Sequence, residues 1–119
     1  MQRYIYTIEN LVELLHRANK DAIILVKCVA GDCTVQDYGD YFSQLCKQMH
    51  DPDAMYITWM RVSEKDAKEL CAERLPMFLV FRGQMFVGVD YEGTKESIDA
   101  LIALAYTKNG STIKKNINE

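Results

Sequence analysis

Nine consecutive residues, Ala22 to Ala30 (AIILVKCVA), constrain this chain more than any other stretch. The run is almost unbroken in its apolar character and rich in branched side chains. A strand with one wet face alternates apolar and polar residues. An unbroken run suits a strand covered on both faces. The chain must then supply helices for both sides of a sheet, which points to an α/β architecture. One residue disagrees. Lys27 sits inside the run, and lysine is rarely buried without a partner. The expectation is that its stem follows the strand while its ammonium reaches water at the strand end. The alternative is a partly desolvated amine beside a functional group.

The rest of the sequence supplies the helices. Arg3 to Tyr6 is a short β-prone piece. Thr7 is a plausible N-cap, and Ile8, Leu11, Val12 and Leu15 then recur at helical spacing. After Gly31-Asp32 a second helix is expected to about Gln48, on the stripe Val35, Tyr38, Phe42, Leu45 and Met49, with Gly39 weakening it. Asp51-Pro52 ends that connection, and Met55 to Val62 (MYITWMRV) reads as another long strand. Ser63 with Asp66 resembles a capping box, opening a helix whose inner face is Ala67, Leu70 and Cys71. Met77 to Phe81 and Met85 to Tyr91 form a hairpin through Arg82-Gly83-Gln84. Gly93 and Thr94 open a last helix on the stripe Ile98, Leu101, Ile102 and Ala105, and Gly110 stops it.

Size and charge narrow the function classes. A chain of 119 residues, 49% apolar and 26% charged, suits one globular domain, expected over 1–110, with a polar tail over 111–119 that frays. A net charge of −3 argues against nucleic acid as a partner, because displacing counterions takes a basic surface. No run approaches the length needed to cross a bilayer, and no apolar stretch of signal-peptide length opens the chain. The expected location is therefore the cytoplasm, without a membrane partner. There the four cysteines, Cys28, Cys33, Cys46 and Cys71, should be thiols rather than a disulfide framework. No Cys-x-x-Cys pair exists, and His16 and His50 lie far apart, so neither a metal site nor a cofactor is expected.

The order β-α-β-α-β-α-β-β-α at this length resembles the thioredoxin fold, a five-stranded mixed sheet flanked by about four helices. Particular residues carry the resemblance, which covers about Tyr4 to Tyr106. Ile23 to Ala30 looks like the family's central strand, which ends shortly before the active-site cysteine. Leu75-Pro76-Met77-Phe78-Leu79-Val80-Phe81 looks like its cis-proline segment. Arg82-Gly83 and Gly93 resemble the hairpin glycine and the glycine before the last helix. Aligned without a gap, Cys33 falls on the nucleophilic cysteine, 43 residues before Pro76, and the motif reads Cys33-Thr34-Val35-Gln36. A second alignment, Ala30-Gly31-Asp32-Cys33, would make Cys33 the second cysteine of the motif.

The departures from the family pattern bear on function. Gln36 replaces the resolving cysteine, which releases the product of thiol–disulfide exchange. Asp32 replaces a tryptophan, Val35 a proline, and Lys27 the buried aspartate. The resemblance thus implies Cys33 as the candidate nucleophile at a helix N-terminus, where the dipole favours a thiolate. It implies Lys27 as a modulator of that thiolate, and a peptide-binding groove formed by Leu75, Pro76, Asp32, Thr34, Val35 and Gln36. Two functions follow. One is a protein-interaction module with a degenerate site. The other is a monothiol redox protein whose Cys33 forms mixed disulfides with a protein, a thiol-containing peptide or glutathione. Ordinary dithiol reductase activity is not expected.

Overall fold

The structure is a computed structural model, and it describes residues 2–31, 40–48 and 54–107. In chain order these form β1 (Gln2–Ile5), α1 (Ile8–Arg17), β2 (Ile23–Cys28), α2 (Tyr41–Gln48), β3 (Ala54–Trp59), α3 (Glu64–Glu69), β4 (Met77–Arg82), β5 (Met85–Asp90) and α4 (Lys95–Thr107). The five strands make one sheet in the order β1-β3-β2-β4-β5. β3 runs parallel to both β1 and β2. β4 runs antiparallel to β2, and β5 antiparallel to β4.

All six residues of β2 are buried, as an unbroken apolar run at the centre of a sheet requires. Its side chains alternate between two cores. Ile24, Val26 and Cys28 join Ile57, Trp59, Met77 and Leu79 on one face, under Leu11 of α1, Ala67 of α3 and Leu70, which caps α3. Ile23 and Leu25 join Tyr56, Phe78 and Val80 on the other, under Phe42 and Leu45 of α2 and Ile98 and Ala105 of α4. The helices thus lie on both faces. Those on the second face are also tied to each other, since the Tyr41 hydroxyl donates to Asp99 at 2.5 Å.

Local chemistry sets the element ends. The Thr7 hydroxyl accepts from the Asn10 N–H and caps α1, and Ser63 does the same for Asp66 in α3. The hairpin turns at Gly83, whose φ of +59° favours glycine, and a side chain there would run into the Lys20 carbonyl. The Gly83 N–H donates to the Ala22 carbonyl at 2.7 Å, so the hairpin is pinned beside the start of β2.

Three expectations change. Val12 is not covered with the rest of its stripe; it is 46% exposed, because α1 meets the sheet through Leu11 and through Ile8, Leu14 and Leu15. Cys71 does not sit on the inner face of α3. That helix ends at Glu69, and Cys71 is exposed beyond it at φ 55°. β3 stops at Trp59 rather than Val62, since Arg61 adopts φ 54° and turns the chain away. The start of the second helix near Cys33, with Val35, Tyr38 and Gly39, lies outside the described residues, as do Met49, Asp51-Pro52, Gly110 and the tail.

Candidate functional site

The sheet register brings the site's two sequence segments together. Cys28, the last residue of β2, pairs with Met77, the first of β4. The residues that follow β2 and those that precede β4 therefore share one end of the sheet. Leu75 and Pro76 stand immediately before Met77, joined by a cis peptide bond. Leu75 is half-buried against the first core, and Pro76 is exposed. On the other side, the chain leaving β2 is stitched to the segment between β3 and α3. The Val29 N–H donates to the Trp59 carbonyl at 2.9 Å, the Val62 N–H to the Val29 carbonyl at 3.0 Å, and the Arg61 N–H to the Gly31 carbonyl at 3.3 Å. These bonds fix the path as far as Gly31. Asp32, Cys33, Thr34, Val35 and Gln36 come next and lie outside the described residues.

Lys27 points to the second face, and its reading from sequence is corrected. Its ammonium does not reach water. The side chain is 3% exposed, and Nζ lies 2.5 Å from the Asp40 Oδ2. The strand is central and covered by α2, so the stem has no route to the surface; the carboxylate comes to the amine instead. A charge taken out of water needs such a partner, because its desolvation is otherwise uncompensated. The Phe42 ring, 6.0 Å away, adds its negative face.

Asp40 went unremarked in the sequence, although a signal was there. It precedes the stripe residue Phe42 by two and Ser43 by three, the position of an N-cap. Its Oδ1 accepts from the Ser43 N–H at 2.8 Å, and its carbonyl accepts from the Gln44 N–H at 3.1 Å. One carboxylate thus caps α2 and neutralises Lys27, fastening the helix start to the central strand. A second unremarked residue is Thr58, which pairs with Lys27 in the register of β2 and β3. Its buried hydroxyl has no hydrogen-bond partner among the described residues, and neither has the Trp59 indole N–H.

Two of the three described cysteines are held as thiols, while Cys71 is exposed. Cys28 is fully buried, and burial pushes its thiol up from 9.0 to about 12. Cys46 on α2 is half-buried; burial first, and then the Asp40 carboxylate, push its thiol up to about 11, with Lys27 opposing. Both are thiols at neutral pH, and a thiol is a poor nucleophile. Among the described residues no group of histidine, cysteine and carboxylate side chains is placed to hold a metal ion. No helix among them is long and apolar enough to cross a membrane.

No protein-family model and no curated protein matches the sequence. Solved structures do. The reduced thioredoxin pre-protein of Schistosoma mansoni superposes with a TM-score of 0.67 at 17% identity, over 86% of this chain and 95% of that one. The thioredoxin of Fasciola hepatica gives 0.67 at 18% identity, over 85% and 96%. The fold is that of thioredoxin. The thioredoxin of Trypanosoma brucei brucei agrees at lower similarity, with a TM-score of 0.61 at 11% identity over 84% of this chain and 86% of that one. Identities this low carry the path of the chain and not its chemistry. On this thioredoxin fold, Lys27 occupies the central strand and Pro76 immediately precedes β4, at the end of the sheet where the chain leaves toward Cys33.

Proposed function

We propose that this chain is a protein-interaction module on a thioredoxin fold, whose groove at Cys33 and Pro76 binds a protein partner without disulfide turnover. The Lys27–Asp40 pair carries the reading. In the family that the sequence resembles, the central strand holds a buried aspartate, a proton acceptor for the active-site thiols. An ammonium has donors and no acceptor, and this one is already held by a carboxylate. With Gln36 in the place of the resolving cysteine, both a proton acceptor on the strand and the second sulfur are missing together. In this reading the groove is kept for binding: Leu75 offers its backbone beside Pro76, and Asp32, Thr34, Val35 and Gln36 are proposed as the facing segment. The same reading puts the protein in the reducing cytoplasm, with its cysteines as thiols.

A second reading keeps the redox chemistry with one sulfur. The Cys33 thiolate attacks a disulfide, forms a mixed disulfide and expels the other half as a thiolate. The raised thiols of Cys28 and Cys46 favour an outside thiol for the release, since neither supplies a thiolate at neutral pH. Glutathione or a thiol-containing peptide then attacks the mixed disulfide and frees Cys33.

Two assays decide. Reduction of an insulin-type disulfide with a dithiol recycling system should show no turnover above background, and turnover matching an ordinary thioredoxin overturns the proposal. Alkylation of Cys33 separates the readings. Slow alkylation leaves the binding module, and fast alkylation with no turnover leaves the monothiol protein.

A further inference from the structure

Val12 belongs to the apolar stripe of α1, yet the sheet leaves it 46% exposed. With Ile8, Glu9, Glu13, His16 and Arg17 it lines a depression of about 470 Å³ along the outer flank of the helix. A smaller depression of about 180 Å³, between Val12, His16 and the hairpin residue Gln84, continues from it. The lining sets two carboxylates, Glu9 and Glu13, against one guanidinium, Arg17, beside His16. Glu13 shares its charge with Arg17 at 2.8 Å, but both side chains are more than half exposed, so that pair is readily exchanged. Glu9 has no ion-pair partner among the described residues.

We propose that this flank of α1 receives the chain's own segment 113–117, Ile-Lys-Lys-Asn-Ile, which lies outside the described residues. Three features select this occupant over a foreign one. Ile113 and Ile117 are four residues apart, the spacing at which two side chains share a face of a helical turn, and Ile8 and Val12 have the same spacing. Lys114 and Lys115 are the one basic cluster of an acidic chain, and the lining offers Glu9 and Glu13. The tail also starts from the right side of the fold. α4 ends at Thr107 close to the hairpin, where the Arg82 guanidinium donates to the Ala105 carbonyl at 3.2 Å. Gln84, two residues on, already lines the depression. From Thr107 to Ile113 an extended chain can cover roughly 20 Å.

Amide spectra of the full chain labelled with ¹⁵N test this. Lys114→Glu combined with Lys115→Glu should shift the amide signals of Ile8 to Arg17 and leave those of β2 and β4 in place. Adding Glu9→Lys and Glu13→Lys should return the α1 signals toward their original separation from the free-tail positions. In the unaltered chain the α1 signals should not move on tenfold dilution. An unchanged α1 after the tail reversal overturns the proposal. So does a dilution-dependent α1, which would make a second copy of the chain the occupant.

Discussion

The Lys27–Asp40 pair predicts an asymmetry that can be measured. Its partners are unequally buried: the lysine side chain is 3% exposed and the aspartate 26%. Asp40→Asn leaves an ammonium in the core facing a neutral amide. Losing the partner of a buried charge costs about 3–5 kcal/mol. Asparagine has one amide oxygen where the aspartate used two, Oδ1 for the Ser43 N–H and Oδ2 for Nζ, so it keeps one of these bonds and sets an NH2 donor against the other, and the loss stays at about 3 kcal/mol. Lys27→Met leaves the opposite remainder, a carboxylate that water reaches and that keeps its bond to the Ser43 N–H. Methionine also fills the lysine stem's space beside Phe42, so this variant loses only about 0–1 kcal/mol. Urea unfolding of both variants and of the double variant reads the difference. Asp40→Asn should be the less stable single variant by about 2 kcal/mol. The double variant should match Lys27→Met, because no buried charge is left to strand. A Lys27→Met variant as unstable as Asp40→Asn would refute the argument, and would mean that the ammonium contributes more to the fold than its burial removes.

Two further outcomes follow from the fold. Cys71 follows the Leu70 cap of α3; its N–H donates to the Lys68 carbonyl at 3.0 Å and the Ala72 N–H to the Ala67 carbonyl at 2.9 Å, with φ 55° at Cys71. Glycine is the residue this ending favours, so Cys71→Gly should gain about 0.5–1 kcal/mol and Cys71→Ala nothing, read from Tm; an equal gain in both would put the effect in the thiol. Burial raises the Cys28 thiol from 9.0 to about 12, so the folded chain keeps a proton that the unfolded chain gives up between those values. Stability should therefore fall as pH rises through that window, by up to ~1.4 kcal/mol per unit. Cys28→Ala should start lower, because it leaves a cavity, but fall less steeply; parallel pH curves would rule out the thiol as the cause.

By itself the sequence determined what depends on neighbours along the chain. The run at Ala22 to Ala30 demanded a doubly covered strand, and β2 is one. Thr7 and Ser63 cap helices through bonds three residues long, and Gly83 turns a hairpin within a few residues. Such features are legible because their energies are local and their periods fixed by backbone geometry. Of the candidate site, Lys27, Leu75 and Pro76 were legible as positions, Lys27 because its charge broke an apolar run. What only the tertiary structure decided is how each residue is completed by others far away. Lys27 looked bound for solvent until α2 folded over β2 and brought Asp40, 13 residues on, to its ammonium. Val12 fitted a helical stripe as well as Leu11 did, but the stripe is wider than the sheet surface that α1 covers. Cys71 fitted an inner face until α3 ended two residues short of it. Periodicity names a face of a helix; how much of that face is buried, and which charge meets a buried amine, depends on the distance and angle at which separate elements pack.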